Sequence, residues 1–192
     1  MPLAAGKVKS DPPSMLLAER FRRLQRRIES LFDTLGLGGQ DVLVCEGATS
    51  MKDPHNAMKV EHVRSIFETL GRSRATCVPG RINPRSVQHE IMGLYGKQIP
   101  RQEVKFAAVQ TALALFAKDL QRLGLISEVD GEDLGQHQDV VDALLVGQFA
   151  MTRIEAARDG SLPLEEVFQE SKVGSRNSSW RTIDANRISK GL

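Results

Sequence analysis

Five arginines, Arg20, Arg22, Arg23, Arg26 and Arg27, fall within eight residues. A guanidinium is planar, stays charged and meets phosphate through two parallel N–H bonds, so this spacing offers recognition of a polyanion rather than turnover. Lys7 and Lys9 lie upstream and add to the same charge. Near the other end Lys172, Arg176, Arg181, Arg187 and Lys190 surround the only tryptophan, Trp180. Cations beside an aromatic ring suit single-stranded nucleic acid, with charge for the backbone and a face for stacking. The same composition suits a short segment anchored by its indole in a protein groove, on a partner or on its own domain.

Other reactive residue types are sparse. His55, His62, His89 and His137 make no H-E-x-x-H or other i, i+4 ligand pair. Cys45 and Cys77 are not a C-x-x-C pair, and two thiols do not make a zinc site unaided. They read as small buried hydrophobes in a reducing cytosol, with a Cys45–Cys77 disulfide as the alternative for an exported protein. The run Leu35-Gly36-Leu37-Gly38-Gly39 lacks the Lys-Ser/Thr of a phosphate loop and reads as a helix stop. No G-x-S-x-G is present. We therefore expect a non-enzymatic protein with no metal and no cofactor.

The elements that must position these residues are helical. Of the 192 residues, 41% are hydrophobic and 26% charged, which is ordinary globular composition with enough chain for a core. After Ser14, a plausible N-cap, Leu17, Phe21, Leu24, Ile28, Leu31 and Leu35 recur at spacings of 4, 3, 4, 3 and 4. This heptad-like seam predicts a helix over 15–35 that packs in the bundle or in a dimer. Arg22, Arg23 and Arg26 then lie away from the seam, and Arg20 and Arg27 at its margin. Further helices are expected at 57–70, from Pro84 to near Gly96, at 101–123, at 136–158, and from Pro163 to Gln169. Val42 to Cys45 reads as a short strand or buried loop, and 72–83 as loop. Phe106 to Ala117 is apolar nearly all round, which predicts that the helix at about 100–124 is the central one. That stretch is too short to span a bilayer, and the N-terminal residues have no apolar signal region.

The fold expected is thus all-α, a compact bundle of five to six helices. It divides into a flexible arm (1–13), one helical domain (14–170) and a flexible basic tail (171–192). Charge is uneven along it: net +5 over 1–27, +2 over 28–125, −9 over 126–170 and +4 over 171–192. Basic ends flanking an acidic block speak of partners or self-association rather than of fold.

Within Pro84 to Ile126 the order helix, turn, helix, closing on Leu123-Gly124-Leu125-Ile126 after Lys118, Asp119 and Arg122, resembles the end of the recognition helix in winged-helix regulators. The resemblance covers about a fifth of the chain and implies DNA binding, with a wing at Ser127 to Leu134. That wing carries Glu128, Asp130, Glu132 and Asp133, and Ala112 to Leu123 offers few side chains that read bases. A buried central helix accounts for the segment better.

The function expected is nucleic-acid binding, DNA or RNA, in a regulatory or packaging role. Phosphate contacts from five helix arginines would give a log–log salt slope of about −4 to −5 on duplex DNA. The alternative is a helical protein–protein adaptor, secretion-linked chaperone or self-assembling subunit. In it the basic helix meets the acidic block 126–170 of a neighbouring copy and forms a homo-oligomer.

Overall fold

A computed structural model describes residues 2–47, 53–95, 99–127 and 132–168. The basic tail, with Lys172, Arg176, Trp180, Arg181, Arg187 and Lys190, lies outside the described residues. Six α-helices carry the fold: α1 (Leu17–Leu35), α2 (Pro54–Ser73), α3 (Pro84–Glu90), α4 (Arg101–Arg122), α5 (Gln138–Asp159) and α6 (Leu164–Phe168). A 3₁₀ turn over Glu132–His137 leads into α5. The architecture is a mostly helical bundle of the all-α class.

Local chemistry sets the helix ends. Asp53 and Asn83 each precede a proline. Their side-chain oxygens accept the N–H of His55 and of Arg85, both at 2.9 Å, and so cap α2 and α3. α2 therefore starts three residues before the expected position. Ser14 does not cap α1; the cap position is Leu16, without a side-chain bond. At the other end Gly36 adopts φ 66°, and the Leu37 N–H reaches the Phe32 carbonyl at 3.0 Å. Leu37 packs into the adjoining core, which completes a Schellman stop.

Two short strands, β1 (Cys45–Glu46) and β2 (Arg81–Ile82), pair in parallel, with Cys45 opposite Arg81 and Glu46 opposite Ile82. Val42 bridges Cys77 earlier on the same two segments. α2 is the crossover that parallel pairing requires. Gly71, one residue past the expected end of this helix, lies inside it. A Cβ there would come within 2.7 Å of Leu43 Cδ2, so the missing side chain is what lets α2 settle on the strand segment. The register also answers the disulfide alternative. Cys77 is opposite Val42, three residues before Cys45, a stagger of about 10 Å along the strand. That exceeds disulfide reach, and both thiols are free.

The core has two parts. Leu24, Ile28 and Phe32 of α1 meet Leu70 of α2, with Val8, Leu43, Val63 and Phe67 packed around them. The larger part joins α3 to α6 with Ile82 of β2. Its axis is α5, not the expected α4. Val140, Val141, Leu145, Phe149, Ala150, Arg153 and Ala157 of α5 are all buried, against Ala108, Ala112 and Leu120 of α4. Phe106 and Leu115, counted as interior by composition, are 69% and 48% exposed.

The α1 seam is corrected too. Leu24 and Ile28 are buried and Phe21 and Leu31 half-buried, but Leu17 and Leu35 are exposed, and Phe32 takes the buried place beyond Ile28. A strict seven-residue repeat drifts about 20° per heptad on a straight helix. Against α2, the i, i+4 row Leu24–Ile28–Phe32 makes the contact.

Ala75 and Ser161, just past α2 and α5, have φ values of 60° and 50°. A Cβ in that region costs roughly 1–2 kcal/mol. Ala75→Gly and Ser161→Gly are therefore each expected to raise the melting temperature by about 2–4 °C per kcal/mol recovered, read by calorimetry. An unchanged or lower midpoint would show that the positions are not strained.

Candidate functional site

Of the seven basic residues in the N-terminal quarter, six fall into two groups and Lys9 stands apart. Burial of the Leu24–Ile28–Phe32 row turns Arg22, Arg23 and Arg26 outward, all exposed. Arg22 and Arg23 share one acid. The Arg22 Nε and Nη2 atoms lie 2.9 and 2.8 Å from the two Glu19 oxygens, and Arg23 Nε lies 2.9 Å from Oε1. These bonds, Arg22's first, hold the Glu19 carboxyl down to about 2. Arg26 forms no ion pair among the described residues.

The second group is engaged with residues 2–13, the expected arm, which has no helix or strand but a defined path. Arg27 donates to the Lys9 carbonyl, and its Nη2 lies 2.8 Å from Asp11 Oδ1. Arg20 Nη2 donates to Ser10 Oγ at 3.2 Å. Lys7 pairs with Asp139 of α5 at 3.1 Å. Arg122 of α4 donates to the Pro2 carbonyl at 2.6 Å. Val8 packs on the α1–α2 core. Among the described residues Lys7 with Asp139 is the one ion pair between the basic N-terminal end and the acidic block. Lys9 is exposed and forms no ion pair among the described residues.

A groove of about 500 Å³ lies between β1 and α2. Leu43, Val44, Cys45, Val60, Val63 and Phe67 form its apolar lining, with Glu46, Lys59 and Arg64 at the rim. No spacing in the sequence marks it, because its walls, the segment 43–46 and α2, come together only in the folded chain. Arg64 is held to the wall, donating to the Gly47 carbonyl at 2.8 Å and lying 3.6 Å from Glu61. Partial burial raises the Glu46 carboxyl above its ordinary range, and the Asp142 charge adds to it. Asp142 is raised likewise, by burial and then by Asp139. Burial pushes the Cys45 thiol up to about 11, so it is no nucleophile at neutral pH.

The histidines occupy separate places. His62 stacks on Phe21 at 4.2 Å and His89 meets Tyr95 edge-on at 4.3 Å. Among the described residues no group of three His, Cys, Asp or Glu is placed to hold a metal ion, and no helix is long and apolar enough to cross a membrane. No protein-family model matches the chain, and no curated protein shows significant similarity to it.

Proposed function

We propose that the protein binds a nucleic-acid backbone through the outward face of α1, without base specificity. The observation that carries this reading is the grouping of Arg22, Arg23 and Arg26 on one exposed face with a single carboxylate among them. Exposed ion pairs are worth little in water, so Glu19 does not prevent Arg22 and Arg23 from turning to phosphate. Arg20 and Arg27 are engaged with residues 9–11, which reduces the contact set from five arginines to three.

Fluorescence anisotropy with labelled duplex DNA, single-stranded DNA and RNA at two salt concentrations tests it. The expected slope on duplex is about −3, at roughly −0.9 per neutralised phosphate. Arg22→Glu, Arg23→Glu and Arg26→Glu together abolish binding, while Arg20→Gln leaves the slope unchanged. No binding at low salt, or binding indifferent to the triple reversal, overturns the reading.

The apolar groove favours a second reading, an adaptor that binds protein. Its self-assembling form predicts a mass above the monomer by light scattering, lowered by the same triple reversal through loss of contact with a neighbour's acidic block. A monomer at all concentrations removes that form.

A further inference from the structure

We propose that the chain's own C-terminal segment, 171–192, docks in the groove between β1 and α2, with the Trp180 indole on Val60, Val63 and Phe67. Arg176 or Arg181 would lie between the Glu46 and Asp142 carboxylates.

Place is the first argument. The described chain ends at Phe168, which is fully buried. Its carbonyl lies 2.5 Å from where a Cβ on Gly80 would be, a contact only glycine permits. Gly80 leads directly into β2, and β2 pairs with β1, the wall of the groove. Neighbouring strands are about 4.8 Å apart. Twelve residues separate Phe168 from Trp180, a span of up to roughly 40 Å, so the indole has ample reach.

Chemistry is the second argument. The groove is apolar and of a size that takes one large aromatic side chain, and Trp180 is the largest side chain that the segment offers. The rim holds the exposed Glu46 carboxylate, and the charge of the exposed Asp142 on α5, outside the lining, acts on it. Among the described residues the one cation within 4.0 Å of Glu46 is Arg64, which is already bound to Gly47 and Glu61. A guanidinium between the two acids relieves their repulsion, and 171–192 carries five cations against one acid. Tethering decides between this occupant and a second copy: a segment on a short linker faces its groove at an effective concentration of about a millimolar, so modest affinity suffices.

Trp180 is the only tryptophan, so its fluorescence reports the segment in the intact protein. The full chain is expected to emit to the blue of a peptide 171–192 alone and to be quenched several-fold less by acrylamide, at all protein concentrations. Val60→Glu, which sits outside both core clusters, should shift emission and quenching to the peptide values. Glu46→Lys with Asp142→Lys, which leaves the apolar floor intact, should move both in the same direction, with helicity by circular dichroism unchanged. Peptide-like emission from the unaltered protein overturns the proposal. So does a blue emission that neither variant moves, which places the indole elsewhere. A blue shift that grows with protein concentration also overturns it, because the occupant is then a second copy's tail.

Discussion

Glu90→Ala is expected to cost about 3–5 kcal/mol, enough to unfold much of a protein with only a modest reserve. Its partner is Arg153, in the most buried helix and only 7% exposed. Arg153 Nη2 lies 2.6 Å from each Glu90 oxygen, and the guanidinium sits 4.8 Å from the centre of the Phe149 ring. This pair fixes the seven-residue α3 to α5. With Glu90 gone, a charge stays inside without its counter-ion, and that uncompensated burial sets the size of the loss. Arg153→Met combined with Glu90→Gln should recover most of the stability, since an apolar side chain then fills the buried Arg153 position and no charge is left there, while position 90 is exposed. Urea unfolding of the three variants decides the matter. A Glu90→Ala loss under 1 kcal/mol would mean that Arg153 reaches water by another route.

The second large effect is expected at Arg81. It ties β2 to α2, with Nε 2.5 Å and Nη2 3.1 Å from the two Glu68 oxygens, and Nη1 2.5 Å from Glu61. Those bonds raise the Arg81 pKa further above its already high value, Glu68's first. Glu61 and Glu68 are seven residues apart on one face of α2, and Glu68 is buried. Arg81→Met leaves Glu68 with Arg72 alone, at 3.9 Å, and should cost about 3 kcal/mol at neutral pH. Arg81→Lys should fall between, keeping charge but losing the fork. Urea unfolding reads the loss, and an Arg81→Met deficit under about 1 kcal/mol would show that Glu68 keeps its charge compensated without Arg81.

Much of the helical frame was legible because its signals are local. Asn83 before Pro84, Gly124 before Leu125 and the glycines after Leu35 each act on the two or three residues beside them. Asp53 before Pro54 carries the same cap-then-proline signal as Asn83–Pro84, and reading it would have placed the start of α2. The parallel pairing was not legible. Two-residue strands have no periodicity, and Cys45 meets Arg81 only through a crossover of more than thirty residues. The centrality of α5 was hidden because composition favoured Phe106 to Ala117. Arg153 reads as a surface residue until Glu90 is brought to it from α3.

The candidate face divided in the same way. The Glu19 partners of Arg22 and Arg23 lie at i+3 and i+4 and could be read from spacing. The engagement of Arg27 with Asp11, sixteen residues earlier, needed the path of the chain.

Residues 2–13 carry a consequence for the order of events during synthesis. Val8 has its α1 and α2 neighbours once about seventy residues are made. Lys7 must wait for Asp139, 132 residues later, and Pro2 for Arg122. At about 5–20 residues per second, the wait for Asp139 is roughly 7–26 seconds. Residues 2–13 are thus made well before the α4 and α5 residues that they meet, and they can join the two parts of the core only once both parts have left the ribosome.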